Sequence, residues 1–499
     1  MTFSLALRRV GWLVAFSLVA VASGWPQARS AEKAPVFAPD RNPVNLRDKF
    51  TLTEFSAEEG SEKNLLWKAK LGDHAYAGPV VVDGKVLVCT NNQSPRDPKI
   101  TDDKGIVMCF RAADGAFLWQ AVHDKLGDSD RDYEKQGVAS TPVVHAGLAY
   151  YVSNRAEVVC LDMKGDPNKP GKARIVWTYD MIGQLKIVPC FLANSSPLIV
   201  DDLVFVVTGN GVDGKGEVAA PDAPSFIALD RKTGKLVWKD ASPGKNIMEG
   251  QWTGPVFANP KGGKPQVIFP GGDGWLYSFE PTTGKLIWKF NCNPSTAVWN
   301  PKQKLRSEKS YFLANPVVYE DRVYIGVGQN PDNGPGVGHL WCIDTTKTGD
   351  VSPKNDNFDP KAPVNKDSAL VWHFGGKIVP RPKTDRDVHF GRTLSTCCIV
   401  DGLLYVADLD GFFYCVDART GKKLWEHDMK AECWASPYYV DGKVYLGNND
   451  GELYAFTHGR NHKAPARYSF EGRIQSPVCS AGGVLFVQSS TYLYAIGKK

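Results

Sequence analysis

The sequence has no Cys-x-x-Cys-His, which excludes covalent attachment of a c-type haem. It has no Gly-x-Ser-x-Gly elbow, and its nine histidines include no His-Glu-x-x-His pair, so a serine-hydrolase turn and a zincin helix are both missing. The glycine-rich stretches GNGVDGKG (209–216) and GGDGWLY (271–277) stand in hairpin turns. A dinucleotide cradle needs its glycines between a strand and a helix. NNDGELY and DLDGFFY offer two oxygen-bearing side chains ahead of a glycine, without the twelve-position ligand series of a Ca²⁺ loop. Beyond residue 40 every apolar run is strand-length and broken by Gly, Asp or Lys, so none can span a bilayer.

The first forty residues stand apart. Arg8 and Arg9 precede VGWLVAFSLVAVA, an apolar run with the length of a signal-peptide core, and PQARSAEKAPVFAPD follows it. Residues 1–31 are therefore expected to be a signal peptide, 32–61 a polar tether and 62–499 the folded unit, exported to the periplasm or cell envelope. The first cysteine is Cys89, so no lipid-accepting cysteine follows the leader. Removal of residues 1–31 takes away three arginines and leaves 56 basic against 54 acidic side chains. A nearly neutral chain carries no electrostatic footprint for nucleic acid.

One pattern recurs along the rest of the chain. ALDRKTGKLVW ends at Trp238, SFEPTTGKLIW at Trp288 and CVDARTGKKLW at Trp425. Each reads as strand, tight Thr-Gly turn and strand. Looser copies lead to Trp119, Trp177, Trp372 and Tyr468, and a truncated one closes the sequence as AIGKK. Out of phase with these lie eight strand–turn–strand segments such as GPVVVDGKVLVC, SSPLIVDDLVFVV and ASPYYVDGKVYLG. Eight four-stranded units, each too small to bury its own faces, predict an all-β, eight-bladed propeller. The strand around Trp67 has no hairpin partner and the last unit lacks an outer strand, so the first is expected to complete the last and remove two exposed edges. Cys109, Cys160, Cys342 and Cys415 occupy the position held elsewhere by Ala228, Ser278, Ala455 and Ala495, so they are expected to be small buried residues rather than half-cystines. The recurrent tryptophans are expected to pack between neighbouring blades.

The longest irregular segments fall on one face of such a ring, the face expected to receive a protein partner or a small-molecule ligand. Segments just ahead of the inner strands should crowd the axis there. They contribute Glu249, Trp252, Arg392, Glu432 and Trp434, together with Gln251, His389, Asn194, His74 and Tyr76. Acidic, basic, amide and flat aromatic groups in one funnel suit a planar anionic ligand held by stacking and paired hydrogen bonds.

The repeats, with their Ala-x-Asp, Thr-Gly turn and closing Trp, resemble those of the pyrroloquinoline quinone (PQQ) repeat family from about residue 62 to 499. Asp230 and Asp417 match its acidic position, and Glu280 replaces it. The family includes PQQ- and Ca²⁺-dependent alcohol and glucose dehydrogenases and cofactor-free scaffolds of the BamB kind; exported repeat proteins of the planctomycete type are similar too. For the dehydrogenases the resemblance implies a quinone held between a Trp and a disulfide of adjacent cysteines, with Glu and Asn at the Ca²⁺ and an Asp base. Cys397 and Cys398 are adjacent here but open an inner strand in STCCIVDG, where those enzymes have a loop, and no Asp can be matched to the base. The expectation is a rigid binding or assembly scaffold needing no cofactor. The alternative is a PQQ- and Ca²⁺-dependent dehydrogenase of an alcohol or sugar.

Overall fold

A computed structural model describes residues 40–302, 307–377 and 388–499. The expected signal peptide, and the tether up to residue 39, lie outside the described residues. Eight antiparallel sheets follow one another along the chain, each starting from a three-residue strand and adding strands in sequence order. The third is typical: Leu198–Val200, Leu203–Val207, Phe226–Asp230 and Leu236–Asp240. In the eighth, Cys479–Ala481, Val484–Gln488 and Tyr492–Ile496 are completed by Leu65–Lys70, with Trp67 opposite Ala495. The ring is closed by the N-terminal strand. Three sheets have a fifth strand, each added in parallel: Gly171–Lys172 beside Trp119, Gly349–Asp350 beside Trp288, and Val44–Asn45 beside Tyr439.

The repeat explains its own geometry. In the third blade Asp230 accepts hydrogen bonds from the Thr233 N–H (2.8 Å) and hydroxyl (2.7 Å), which fixes the turn. Those two donors hold its carboxyl below the usual range. Gly234 then takes φ +69°, a conformation that favours glycine. The small residue faces the tryptophan across the last two strands as Cys109–Trp119, Cys160–Trp177, Ala228–Trp238, Ser278–Trp288, Cys342–Trp372 and Cys415–Trp425. Each indole lies against the turn of the next blade. Trp67, Trp177, Trp238, Trp372 and Trp425 donate to the carbonyls of Ala112, Arg231, Pro281, Ala418 and Gly459 at 2.7–3.1 Å. Trp288 instead donates to Gln266 (2.6 Å), whose amide passes the link to Thr345 in the next blade (2.9 Å). All eleven cysteines are free, Cys109, Cys160, Cys342 and Cys415 among the buried ones.

Two expectations change. In the seventh blade Ala455 faces Ala466, and Tyr468 sits two residues further on, opposite Leu453. The tryptophan position is therefore empty of an aromatic ring from that strand. Phe50 fills it, packing edge-on to Tyr445 at 6.0 Å, much as Trp177 meets Tyr150 and Trp372 meets Tyr324 at 5.9 Å. Phe55 stacks on Tyr468 at 3.7 Å. The second change follows from this one, because residues 40–61, expected to be a tether, are bound to the ring. Asp40 accepts from Val318 N (2.9 Å), Asn42 exchanges two bonds with Ile399 (2.6 and 2.9 Å), Val44 pairs with Tyr439 and Asn45 donates to Ser480 O (3.1 Å). All four partners belong to innermost strands, so this segment runs inside the central channel and stops it from one end. Its side chains pair with the channel wall, which offsets the loss of water from a polar sequence. No helix among the described residues is long and apolar enough to cross a membrane.

Candidate functional site: an axial cavity with a stopped floor

With its floor stopped, the channel becomes a cavity of about 670 Å³ on the loop-rich face. Its wall comes from a single register. Counting back from the residue just ahead of each inner strand (Pro79, Pro142, Pro197, Pro255, Pro316, Cys397, Pro437 and Val478), the third position supplies Tyr76, Ala139, Asn194, Trp252, Leu313, Leu394, Trp434 and Gln475, all eight. The first position supplies Thr141, Ser196, Asn315, Thr396 and Ser436. Extended backbone sends alternate side chains to opposite sides, so the residue between them points into the blades. Ser195 there accepts from Val207 N (3.1 Å), and Ser140 donates to Ser195 O (2.9 Å). Tyr133, Gln136, Phe191, Asn330 and Asp332 complete the rim.

This register decides where the candidate residues go. Trp252 and Trp434 line the cavity. Trp252 is fixed by donating to Cys190 O (3.0 Å), and Tyr76 stacks near Trp434, with ring centres 6.1 Å apart and planes 18° apart. Burial pushes the Tyr76 phenol up to about 12. Glu249 lies behind the wall, accepting from the Tyr311 hydroxyl (2.6 Å) and from the amides of Asn330 and Asn333 (3.5 and 3.3 Å). Tyr311 in turn meets Trp252 edge-on at 6.0 Å, so Glu249 positions the wall without reaching the cavity. Arg392 is likewise buried, donating to the carbonyls of Ser307 (2.8 Å), Asn333 and Gly334 (both 3.3 Å) and pinning the loop that carries Asn330 and Asp332. Glu432 is exposed and accepts from the Asn449 amide (3.1 Å). Gln251 joins two blades through Asn210 O and Gly272 N.

The residue not foreseen is Arg41. Its side chain rises from the channel segment to the cavity floor, where Nε donates to Pro255 O (2.7 Å) and Nη2 to Ser196 O (2.6 Å) and Pro197 O (3.0 Å). Only 9% of it is exposed. Burial alone lowers its pKa, to about 10, and it has no carboxylate partner among the described residues. Three further lining atoms are buried without a partner among these residues: Trp434 Nε1, Gln475 Nε2 and Asn194 Oδ1. Buried polar atoms left unpaired cost about 1–3 kcal/mol each. Flat aromatic walls, a cation with no carboxylate partner, two unpaired N–H donors and one unpaired acceptor thus meet in one cavity.

The same atoms test the family's cofactor. A planar quinone with anionic substituents suits Tyr76, Trp252, Trp434 and Arg41. Calcium does not: Asp332 is the sole carboxylate on the wall, Glu249 is taken up by Tyr311 and its amides, and no three metal-ligating side chains converge among the described residues. Nor do Cys397 and Cys398 cap a ring. Both are buried in the sixth blade, off the cavity wall, and Cys398 Sγ lies 3.5 Å from Pro43 O.

A family model described as "Outer membrane protein assembly factor BamB" matches residues 103–357 and 362–464. The chain belongs to the PQQ-like β-propeller family. The dehydrogenase subunit of the quinone alcohol dehydrogenase of Gluconobacter oxydans is 25% identical over 372 residues, 62% of this chain and 44% of that one. The quinoprotein alcohol dehydrogenase PedH of Pseudomonas putida is 24% identical over 58% of this chain and 48% of its own. The chain thus spans less than half the length of these curated relatives. Among solved structures, BamB of Moraxella catarrhalis aligns with a TM-score of 0.51 at 15% identity, covering 87% of this chain and 97% of that one. A europium-containing methanol dehydrogenase aligns with 0.53 at 14%, covering 90% and 88%. These two structures share the fold with this PQQ-like propeller.

Proposed function

We propose that this PQQ-like propeller is an oxidoreductase that binds a planar quinone in the axial cavity and oxidises an alcohol or sugar beside it. The observation that carries this reading is the stopped cavity itself, walled by Tyr76, Trp252 and Trp434 and floored by Arg41. The quinone alcohol dehydrogenases among its relatives support the redox class. A quinone held there supplies the two-electron acceptor. Of this chain's own groups, Trp252 and Trp434 would bound the ring, Arg41 would meet an anionic substituent, and Asp332, on the rim, is the carboxylate that could take the hydroxyl proton. Its relation to an outer-membrane assembly factor supports an extracytoplasmic site of action, in line with the leader expected in residues 1–31.

A second reading, a partner-binding scaffold, draws on the outer edges of the second and third blades. Ile175 and Val176 on one, and Leu236 and Val237 on the other, are 36–47% exposed, whereas the first and fourth blades cover the corresponding edge with an added strand. The two readings separate in one experiment: titration of the folded protein with PQQ, with and without Ca²⁺, followed by dye-linked oxidation of an alcohol and sugar panel. The redox reading expects stoichiometric quenching of tryptophan fluorescence and turnover, both reduced at least tenfold by Trp252→Ala. Absence of PQQ uptake under every condition overturns it in favour of the scaffold.

A further inference from the structure

We infer that ligand recognition in the axial cavity is metal-independent and selects a carboxylate-bearing planar ring, with the Arg41 guanidinium doing the work of a cation and the N–H groups of Trp434 and Gln475 receiving the ring's far oxygens. The inference rests on the axial cavity being the binding site and adds what the site selects. A buried guanidinium is costly unless paired. The carbonyls of Ser196, Pro197 and Pro255 satisfy Nε and Nη2 as dipoles but leave the full positive charge in place, and Nη1 has no hydrogen-bond partner among the described residues. Arg41 forms no ion pair with Asp332 or with another carboxylate among the described residues. The field of Arg41 is therefore directed into a cavity with low-dielectric aromatic sides, where a charge interaction is strongest.

The backbone is bent to place this charge. Arg41 has φ +59°, a left-handed conformation that costs a non-glycine residue about 1 kcal/mol or more. Asp40 and Asn42 hold it there through Val318 and Ile399 on either side. Across the cavity, Trp434 Nε1 and Gln475 Nε2 are unpaired donors, and Gln475 is only 7% exposed. Donors at both ends suit a ring with acceptor oxygens at opposite edges. A guanidinium also pairs with a carboxylate through two parallel hydrogen bonds, a geometry that favours a carboxylate over a spherical anion.

The test uses the folded chain and two probes with the same ring, naphthalene-2,6-dicarboxylate and its uncharged dimethyl ester, titrated by calorimetry in EDTA and in Ca²⁺, with PQQ alongside. The diacid is expected to bind equally well in both buffers and at least tenfold more tightly than the ester. Arg41→Gln should lower its affinity at least tenfold while leaving the ester unchanged, and Arg41→Lys should restore part of it. Trp434→Phe keeps the aromatic wall and removes one donor; it should weaken the diacid about three- to tenfold, and it serves if Arg41→Gln does not fold. Equal affinity for diacid and ester, or full diacid affinity in folded Arg41→Gln, overturns the inference. Uptake of PQQ only with Ca²⁺ overturns it too while leaving the quinone reading intact. If neither PQQ nor the diacid binds in either buffer, both readings fall.

Discussion

Trp238 and Gly284 form one of the contacts on which the ring depends, and changing both tests the account of blade packing. The indole of Trp238 is 8% exposed, lies 5.7–6.0 Å from the rings of Phe205, Phe269 and Phe279, and donates to Pro281 O at 2.7 Å. Trp238→Ala should cost about 3–5 kcal/mol, the range for truncating a buried aromatic. Gly284 has φ +67°, and a Cβ there would sit 2.7 Å from Trp238 Cδ2. Gly284→Ala should therefore cost about 1 kcal/mol for the backbone and about 1–3 kcal/mol for the overlap. Only the overlap depends on the indole. In the double variant it disappears, so the total should fall short of the two single costs by about 1–3 kcal/mol. Urea denaturation of the four proteins followed by far-UV circular dichroism gives the cycle directly. A coupling below about 0.5 kcal/mol would refute the claim that the turn glycine exists to admit the preceding blade's tryptophan.

Phe50→Ala should destabilise the protein by about 3 kcal/mol and expose the segment ahead of Trp67 to brief proteolysis, since nothing else fills the seventh blade's missing tryptophan position. Acid should weaken the fold. Burial lowers His123 and His339 from 6.5 to about 4, so the native state binds fewer protons than the unfolded chain between those values, and each contributes about 3 kcal/mol that is lost as pH falls through that window. Asp273, raised to about 6 by burial, acts in the opposite sense, so these three groups leave a net fall of about 3 kcal/mol between pH 7 and pH 4.5, measurable by denaturation at those two values. Thiol titration with a chromogenic disulfide under native conditions should register almost none of the eleven cysteines, and all of them after unfolding; prompt reaction of Cys109, Cys160, Cys342 or Cys415 would contradict their burial.

The ring was legible because its signals are local and repeated. An Asp two residues past a small residue, a Thr-Gly turn and a Trp fix strand, turn and interblade contact within eleven residues, and the pairing of Trp67 with Ala495 follows from the unmatched ends. The seventh blade escaped the pattern because its aromatic comes from Phe50, about four hundred residues away, and local sequence carries no mark of that distance. Three large apolar residues within six positions, Phe50, Leu52 and Phe55, are the available hint that this stretch is not a tether. Of the five residues expected at the axis, Trp252 and Trp434 line the cavity, whereas Glu249 and Arg392 lie behind its wall and Glu432 is exposed beside Asn449. The loop before each inner strand fixes side-chain direction by its count from that strand, and it is the first and third positions that face inward around the ring. Arg41 could not be found by any such count, because it enters from outside the repeat.

The channel segment gives the cavity a history as well as a floor. Residues 40–45 are held by the inner strands of the fifth to eighth blades, and Leu65–Lys70 by the last strand of all. Leu65–Lys70 can dock only on the strand made last, a pairing whose loop closure spans nearly the whole chain. A chain with seven blades assembled would have no closed ring, although Arg41 could already meet the third and fourth blades; Asn45 would still lack its partner Ser480. The cavity wall is complete only once the eighth blade brings Gln475 and Pro477 to it, and any ligand held there would act as a latch on the finished circle, stabilising the closed form by mass action.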